Sequence, residues 1–154
     1  MVTTRPAVLS DLSALADLFD AYRQFYKQAA DLSGAEAFIG ERLQLQDTHL
    51  ICADLDGKMV GFTHLFPSFT STRMARVFIL NDLFVLPSAR GKGAGRALLA
   101  ASKDYGEREG AVSLYLSTQI ENTSAQALYE SDGWARSAGF IPYDFTLSKP
   151  EQGG

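Results

Sequence analysis

The sequence predicts a mixed α/β fold, one sheet with helices on both faces. Three observations predict it: an opening stretch with helical spacing, a middle stretch with strand patterning and turn residues, and a closing half in which strand and helix patterns alternate. Residues 1–7 read as a short first strand. Ser10 then stands where a helix N-cap belongs, ahead of Leu12, Leu15, Phe19, Tyr22 and Tyr26 at helical spacing, in a helix that should end near Ala30. Ser33 and Glu36 fit a capping box, each side chain satisfying a free backbone donor of a second helix that carries Phe38, Ile39 and Leu43.

The pattern changes at Thr48. Leu50-Ile51-Cys52-Ala53, Asp56-Gly57 and Met59-Val60-Gly61-Phe62 form a hairpin whose turn residues tolerate positive backbone angles. Residues 67–74 read as a loop. Residues 75–85 are almost continuously apolar, interrupted by Asn81 and Asp82, and predict a central strand buried on both faces. A helix follows with Ala94, Leu98, Ala101 and Tyr105 on one face and Gly110 as its C-cap. Val112, Leu114 and Leu116 then alternate as a strand. Residues 123–131 form a short helix stopped by Asp132-Gly133, and Tyr143, Phe145 and Leu147 make a last alternating strand. Residues 1–147 read as a single domain and 148–154 as a short polar tail.

With 154 residues and 46% apolar content there is material for one core and none for a second. A formal net charge of -4 disfavours a duplex nucleic-acid binder, which needs clustered Lys and Arg for phosphates. The first residues lack the apolar core of a signal peptide, and no apolar run is long enough to span a bilayer, so neither nucleic acid nor membrane is an expected partner. The single cysteine, Cys52, lies between Ile51 and Ala53 and reads as a buried strand residue with no disulfide partner, which places the chain in the reducing cytoplasm. Two histidines, one cysteine and scattered acids offer no metal-ligand spacing, so no metal is expected.

The chemistry concentrates in Arg90-Gly91-Lys92-Gly93-Ala94-Gly95-Arg96, between the buried strand and an amphipathic helix. The first N–H groups of that helix have no partner within it, glycines remove the Cβ atoms that keep an anion off the backbone, and three cations add charge. The segment is therefore read as a phosphate cradle rather than an ordinary strand-to-helix turn. A Walker loop requires Gly, four residues, then Gly-Lys-Ser or Gly-Lys-Thr, which is absent here. The dinucleotide fingerprint requires a glycine three places after its second, where Gly93 is followed by Arg96 and Gly95 by Leu98.

Residues 80–87, Leu-Asn-Asp-Leu-Phe-Val-Leu-Pro, followed by the glycine turn, resemble the acetyl-CoA motif of the GNAT N-acetyltransferase superfamily. Asn122, Ala125, Leu128-Tyr129-Glu130 and Gly133-Trp134 are similar to its second signature, and Thr4-Arg5-Pro6-Ala7 with Asp11-Leu12 to its usual opening. The resemblance covers nearly all of the chain. It implies a mostly antiparallel sheet of about seven strands with a V-shaped opening between the two middle strands, those ending near Val85 and Ser117. It implies acetyl-CoA as cofactor, with the pyrophosphate on Arg90, Gly91, Lys92, Gly93, Ala94, Gly95 and Arg96, the pantetheine arm against the backbone of Leu83, Phe84 and Val85, and Asn122 bonding the cofactor. Asn122 also fits a helix N-cap, and the two readings are compatible.

Tyr129 matches the tyrosine that commonly protonates the departing thiolate. A phenol of pKa ~10 can donate to a sulfur whose conjugate acid lies near ~8.5. The attacking amine, with pKa ~10.4, is almost wholly protonated at neutral pH, so a base or water chain must take its proton. Relatives acting on small polyamines place a glutamate where this sequence has Asn81, which leaves Asp82, Glu121 or an ordered water for that role. Asp82 equally fits an anchor for a backbone bulge or a pairing with an arginine. By the same resemblance the acceptor pocket is built from Tyr22, Tyr26, Asp31, Phe66 and Ser68, with Tyr143 on the opposite wall, although aromatic residues at helical spacing also suit a core. His64 reads as a hydrogen-bonded structural histidine. The expected activity is transfer of an acetyl group to a primary amine of a small molecule by direct attack in a ternary complex, in a homodimer. A coenzyme A-binding module without efficient transfer, and a peptide or protein N-acetyltransferase, are the alternatives.

Overall fold

The computed structural model, which describes residues 1–148, lays the strands in sequence order across one open sheet. Strands β1 (Val2–Pro6), β2 (His49–Leu55), β3 (Lys58–Thr70) and β4 (Ala75–Val85) pair antiparallel with one another in turn, and β5 (Ser113–Tyr115) joins β4 in parallel. Helices α1 (Leu12–Phe25) and α2 (Leu32–Leu45) fall between β1 and β2. Helix α3 (Ala94–Arg108) connects β4 to β5, and α4 (Thr123–Ser131) follows β5. No helix among the described residues is long and apolar enough to cross a membrane.

The period of two along β2 divides the interior between the faces of the sheet. Leu50 and Cys52 join Leu15 and Leu18 of α1 and Ile39 of α2, while Ile51 and Ala53 join Leu98 and Leu99 of α3. Helices therefore cover both faces, as the sequence predicts. Cys52 is fully buried, and desolvation pushes its thiol up to about 12, which keeps it an inert core group.

Two bulges re-aim side chains. In the β3–β4 ladder His64 faces Asp82 and Leu65 faces Leu80, so Asn81 is left over on β4. The extra residue flips the alternation: Phe78 and Leu80 pack toward α3, whereas Phe84 packs toward α1 and α2. Val60 is the extra residue of the bulge against Ala53 and Asp54.

Several sequence boundaries shift for identifiable reasons. Ser10 does not cap α1, because a single turn of 3-10 helix (Leu9–Asp11) precedes it. There the Asp11 carboxylate accepts from the Val8 N–H at 2.8 Å and from the Arg5 guanidinium at 2.7 and 2.9 Å, which holds that carboxyl below its usual range. Helix α1 ends at Phe25 rather than near Ala30, where Lys27 adopts a positive φ of 64°. The cap of α2 is Asp31, whose side chain accepts from the Gly34 N–H at 3.0 Å, and so Ser33 and Glu36 lie inside the first turn instead of forming a capping box. Residues 67–70 belong to β3 and not to a loop, since Pro67 pairs with Phe78 where β3 has a neighbour on one side only and a missing donor is tolerated.

The sheet has five strands among the described residues, not about seven. Tyr143, Phe145 and Leu147 form no strand: a ladder needs a neighbouring backbone, and this segment stands off the body with those side chains 90%, 87% and 80% exposed. The predicted tail, 148–154, lies outside the described residues beyond Ser148.

Candidate active site

The opening predicted between the middle strands lies between β4 and β5, beside the end of the five-stranded sheet. Parallel pairing joins Val77, Phe78 and Ile79 to Ser113, Leu114 and Tyr115 and stops there, so among the described residues the second half of β4 has no strand on that side. The space is a cavity of about 480 Å³. Leu83, Phe84 and Val85 form one wall, the glycine turn and the first residues of α3 the floor, and Asn122, Ala125 and Tyr129 the far wall.

The turn has the backbone an anion cradle requires. Gly91 and Gly93 have φ of 77° and 89°, which side-chain-bearing residues rarely adopt, and a Cβ on either would enter open space. Gly93 caps α3 without any side-chain hydrogen bond. The first bond of that helix runs from the Ala97 N–H to the Gly93 carbonyl at 3.0 Å, so the N–H groups of Ala94, Gly95 and Arg96 precede the ladder. These donors, the positive end of the helix and the cation Arg90 suit a diphosphate in chemistry, and the wall of backbone beyond β4 suits an extended amide-bearing arm.

Of the three cations in the turn, two line the cavity. Arg90 donates to the Val85 carbonyl at 3.1 Å and lies over the rings of Phe25 and Phe84, 5.5 and 5.9 Å from their centroids. Arg96 donates to Ser131 Oγ at 2.9 Å and so ties α3 to the end of α4. Lys92 is exposed and is not part of the lining.

Asn122 lines the cavity and at the same time caps α4, its Oδ1 accepting from the Ala125 N–H at 3.2 Å. That cap sets where the helix starts and hence where Tyr129, two turns on, meets the cavity. Burial pushes the Tyr129 hydroxyl up to about 12, so it remains protonated at neutral pH.

The six residues expected around the acceptor separate. Tyr26 lines the cavity. Tyr22 packs edge-on to Tyr26 at 4.9 Å and to Phe62 and Phe84 at 5.9 and 6.0 Å. Its hydroxyl is raised far above the usual value, first by burial and then by the Asp82 charge. Asp31 is committed to capping α2 and Tyr143 is 90% exposed, so neither belongs to this cavity: one is claimed by a local backbone need, the other by a segment that does not fold back. Phe66 stands edge-on to the His64 ring at 4.7 Å and, like Ser68, is not part of the lining.

Behind the β4 wall lies a buried polar network that sequence reasoning assigned only in part. Asp82 is 6% exposed and lies 3.1 Å from His64 Nδ1, while His64 Nε2 lies 2.6 Å from Thr48 Oγ1. The His64 ring thus bridges the Asp82 carboxylate and the Thr48 hydroxyl. Asn81, the bulge residue, donates to the other Asp82 oxygen at 3.1 Å. Asp82 is therefore the acid that anchors the bulge, and it pairs with histidine rather than arginine. Glu121 is exposed in the loop before α4.

An open sheet split beside a glycine turn and a tyrosine fits an acyl-group transferase, and comparison with known proteins gives that class. The model of the acetyltransferase (GNAT) family matches residues 15–134. The chain belongs to this family and is an acetyltransferase. It is similar to the uncharacterized N-acetyltransferase YhfO of Bacillus subtilis (strain 168), 49% identical over 139 residues that cover 90% of this chain and 93% of the relative. Another relative, the aminoglycoside N(6')-acetyltransferase type 1 of Salmonella typhimurium (strain LT2), is 30% identical over 68% of this chain and 74% of its own. Among solved structures, a probable acetyltransferase superposes with a TM-score of 0.88 at 32% identity, covering 97% of this chain and 99% of that one.

Proposed function

We propose that this chain is an acetyl-CoA-dependent N-acetyltransferase that acts on a primary amine of a small molecule, as a cytoplasmic homodimer. One observation carries the reading: the glycine cradle, the free wall of β4 and Tyr129 all line a single cavity. Similarity to an aminoglycoside acetyltransferase supports a small, cationic acceptor. Acetyl-CoA held in this cavity supplies an acetyl group activated as a thioester.

The chain's own residues do the rest. The N–H groups from Gly91 to Arg96 and the Arg90 guanidinium hold the diphosphate, and the backbone of Leu83 to Val85 aligns the arm. Tyr129, kept neutral by burial, holds the proton that a departing thiolate needs. Asp82 stands behind the β4 wall, so the proton that the incoming ammonium must lose reaches it through an ordered water rather than by direct contact. Tyr26, which lines the cavity, presents an aromatic face to the acceptor, which suits a cation.

Thiol-release kinetics with acetyl-CoA and a panel of aminoglycosides, polyamines, amino acids and peptides test the reading. Turnover with at least one small amine is expected, while thiol release with peptides alone, or tight coenzyme A binding without turnover, contradicts it. In the same assay Asp82→Asn is expected to lower kcat by about 100-fold, the lower end of what a positioned acid or base contributes. Coenzyme A affinity should be unchanged, because Asp82 is not in the cavity lining.

A further inference from the structure

Residues 26–31 join α1 to α2, and they begin where Phe25 and Tyr26 line the cavity. The turn that opens this loop is a Schellman motif: the Lys27 N–H donates to the Gln24 carbonyl at 2.9 Å and the Gln28 N–H to the Arg23 carbonyl at 3.0 Å. Such a motif needs a left-handed residue just past the helix, a place that glycine usually fills. Here it is Lys27, at a φ of 64°. A side chain in that region is strained and persists only where the surroundings hold it from elsewhere.

What holds it is Asp20, a carboxylate 6% exposed that the acetyl-transfer chemistry does not use. Its Oδ1 accepts from the Arg23 guanidinium at 2.8 Å, and its Oδ2 from the Gln24 side-chain amide at 3.2 Å. Both oxygens face the Asp31 N–H, at 3.1 and 3.3 Å, eleven positions further along the chain. The Arg23 nitrogen that meets Asp20 also donates to the Ala29 carbonyl at 3.0 Å. The Asp31 side chain in turn caps α2 through the Gly34 N–H. One buried acid inside α1 thus holds the loop at its middle and at its far end. Burying a carboxylate is unfavourable unless it is paired and hydrogen-bonded, so a helix face that only packed would be better served by an apolar residue.

We propose that Asp20 is a positioning residue for the amine acceptor: its contacts with Arg23, Gln24 and Asp31 fix the loop, and with it the aromatic wall of Phe25 and Tyr26, at the cavity. The role of that wall rests on the acetyl-transfer reading; the anchoring of the loop does not. A wall in place before the acceptor arrives spares binding the cost of ordering it. Tyr129 and Asp82 stand on α4 and β4, and the cradle opens α3, so loosening the loop weakens acceptor binding and leaves both the chemical step and the hold on the donor.

Two variants test this. Asp20→Asn keeps the shape of the side chain but turns one acceptor into a donor within the network. Arg23→Gln cuts the tether to Ala29 from a half-buried position and serves where the first variant does not fold. Hydrogen exchange of the amides of residues 27–31, followed by mass spectrometry, should quicken about tenfold or more in each, with exchange in α3 as in the parent. With acetyl-CoA saturating, and the panel amine that the parent turns over fastest varied, KM should rise about tenfold or more while kcat and coenzyme A affinity stay within about threefold. Combined, the two substitutions should cost less than the sum of their separate effects, because they cut one network. Unchanged exchange in the loop, an unchanged KM beside a loosened loop, or a fall in kcat that matches the rise in KM would each overturn the proposal. A parent chain that turns over no amine removes the acetyl-transfer reading and the acceptor role with it, while the exchange measurement still decides whether Asp20 anchors the loop.

Discussion

Tyr129→Phe should lower kcat by about 10²- to 10⁴-fold while leaving coenzyme A affinity within a factor of two or so of the parent. The substitution removes one hydroxyl from a half-buried ring that packs 6.2 Å from the Trp134 ring and against the α3 side of the core, so shape and fold are kept. What disappears is a proton poised in the cavity, and an interaction made only as the thiolate leaves is lost from kcat, not from binding. The pH dependence follows from the raised hydroxyl. With ionisation held off to about 12, against an ordinary value of 10.0, Tyr129 stays protonated across the alkaline range, and its titration should not set the alkaline limb of the activity profile. The sign for stability is the same: the neutral form favoured by the fold contributes fully below the ordinary value, and the contribution is lost as pH rises from there toward about 12. Stopped thiol-release assays across pH check the first statement and thermal melts the second. An undiminished kcat in Tyr129→Phe removes the proposed donor.

Phe62→Ala should cost about 3–5 kcal/mol, the range for deleting a fully buried phenylalanine. Phe62 is 0% exposed on β3 and meets the rings of Phe19 and Tyr22 edge-on at 6.2 and 5.9 Å, so the void has rigid aromatic walls that cannot collapse into it cheaply. For a chain of this size that loss corresponds to a melting point lower by roughly 10 °C. Phe62 also packs against Tyr22 and beside Phe84, one of the β4 residues that line the cavity, so KM for the acceptor should rise in the same variant. Thermal denaturation followed by circular dichroism measures the first effect. A shift under about 3 °C would mean that the aromatic cluster relaxes around the gap.

The stretch from β4 through α4 was the most legible part of the sequence, and the reason is local. An apolar run, two glycines at positive φ and an asparagine cap are decided by residues a few positions apart. Thr123 to Ser131 was bounded correctly because Asn122 starts the helix and Gly133, with φ 95°, stops the chain from continuing it. The His64–Asp82 contact was not legible, since it joins positions 18 apart across a ladder whose register is set by the bulge at Asn81. Nothing in one strand's pattern announces such a bulge. Asp31 was misread as a pocket residue because a capping side chain and a binding side chain look alike in sequence, and only the Gly34 N–H at 3.0 Å distinguishes them. The alternation at 143–147 was recognised, yet a strand's place depends on a partner backbone, which sequence pattern does not supply.

The reading of this site stands on the backbone around Gly91 and Gly93 gripping a diphosphate. Isothermal titration of coenzyme A into the purified chain measures that directly. The account predicts one site per chain with Kd of about 1–100 μM, the range of working substrate levels, and at least tenfold weaker binding in Gly93→Val, which forces a branched side chain onto a φ of 89°. No heat of binding with the folded protein, or affinity untouched by that substitution, would contradict it.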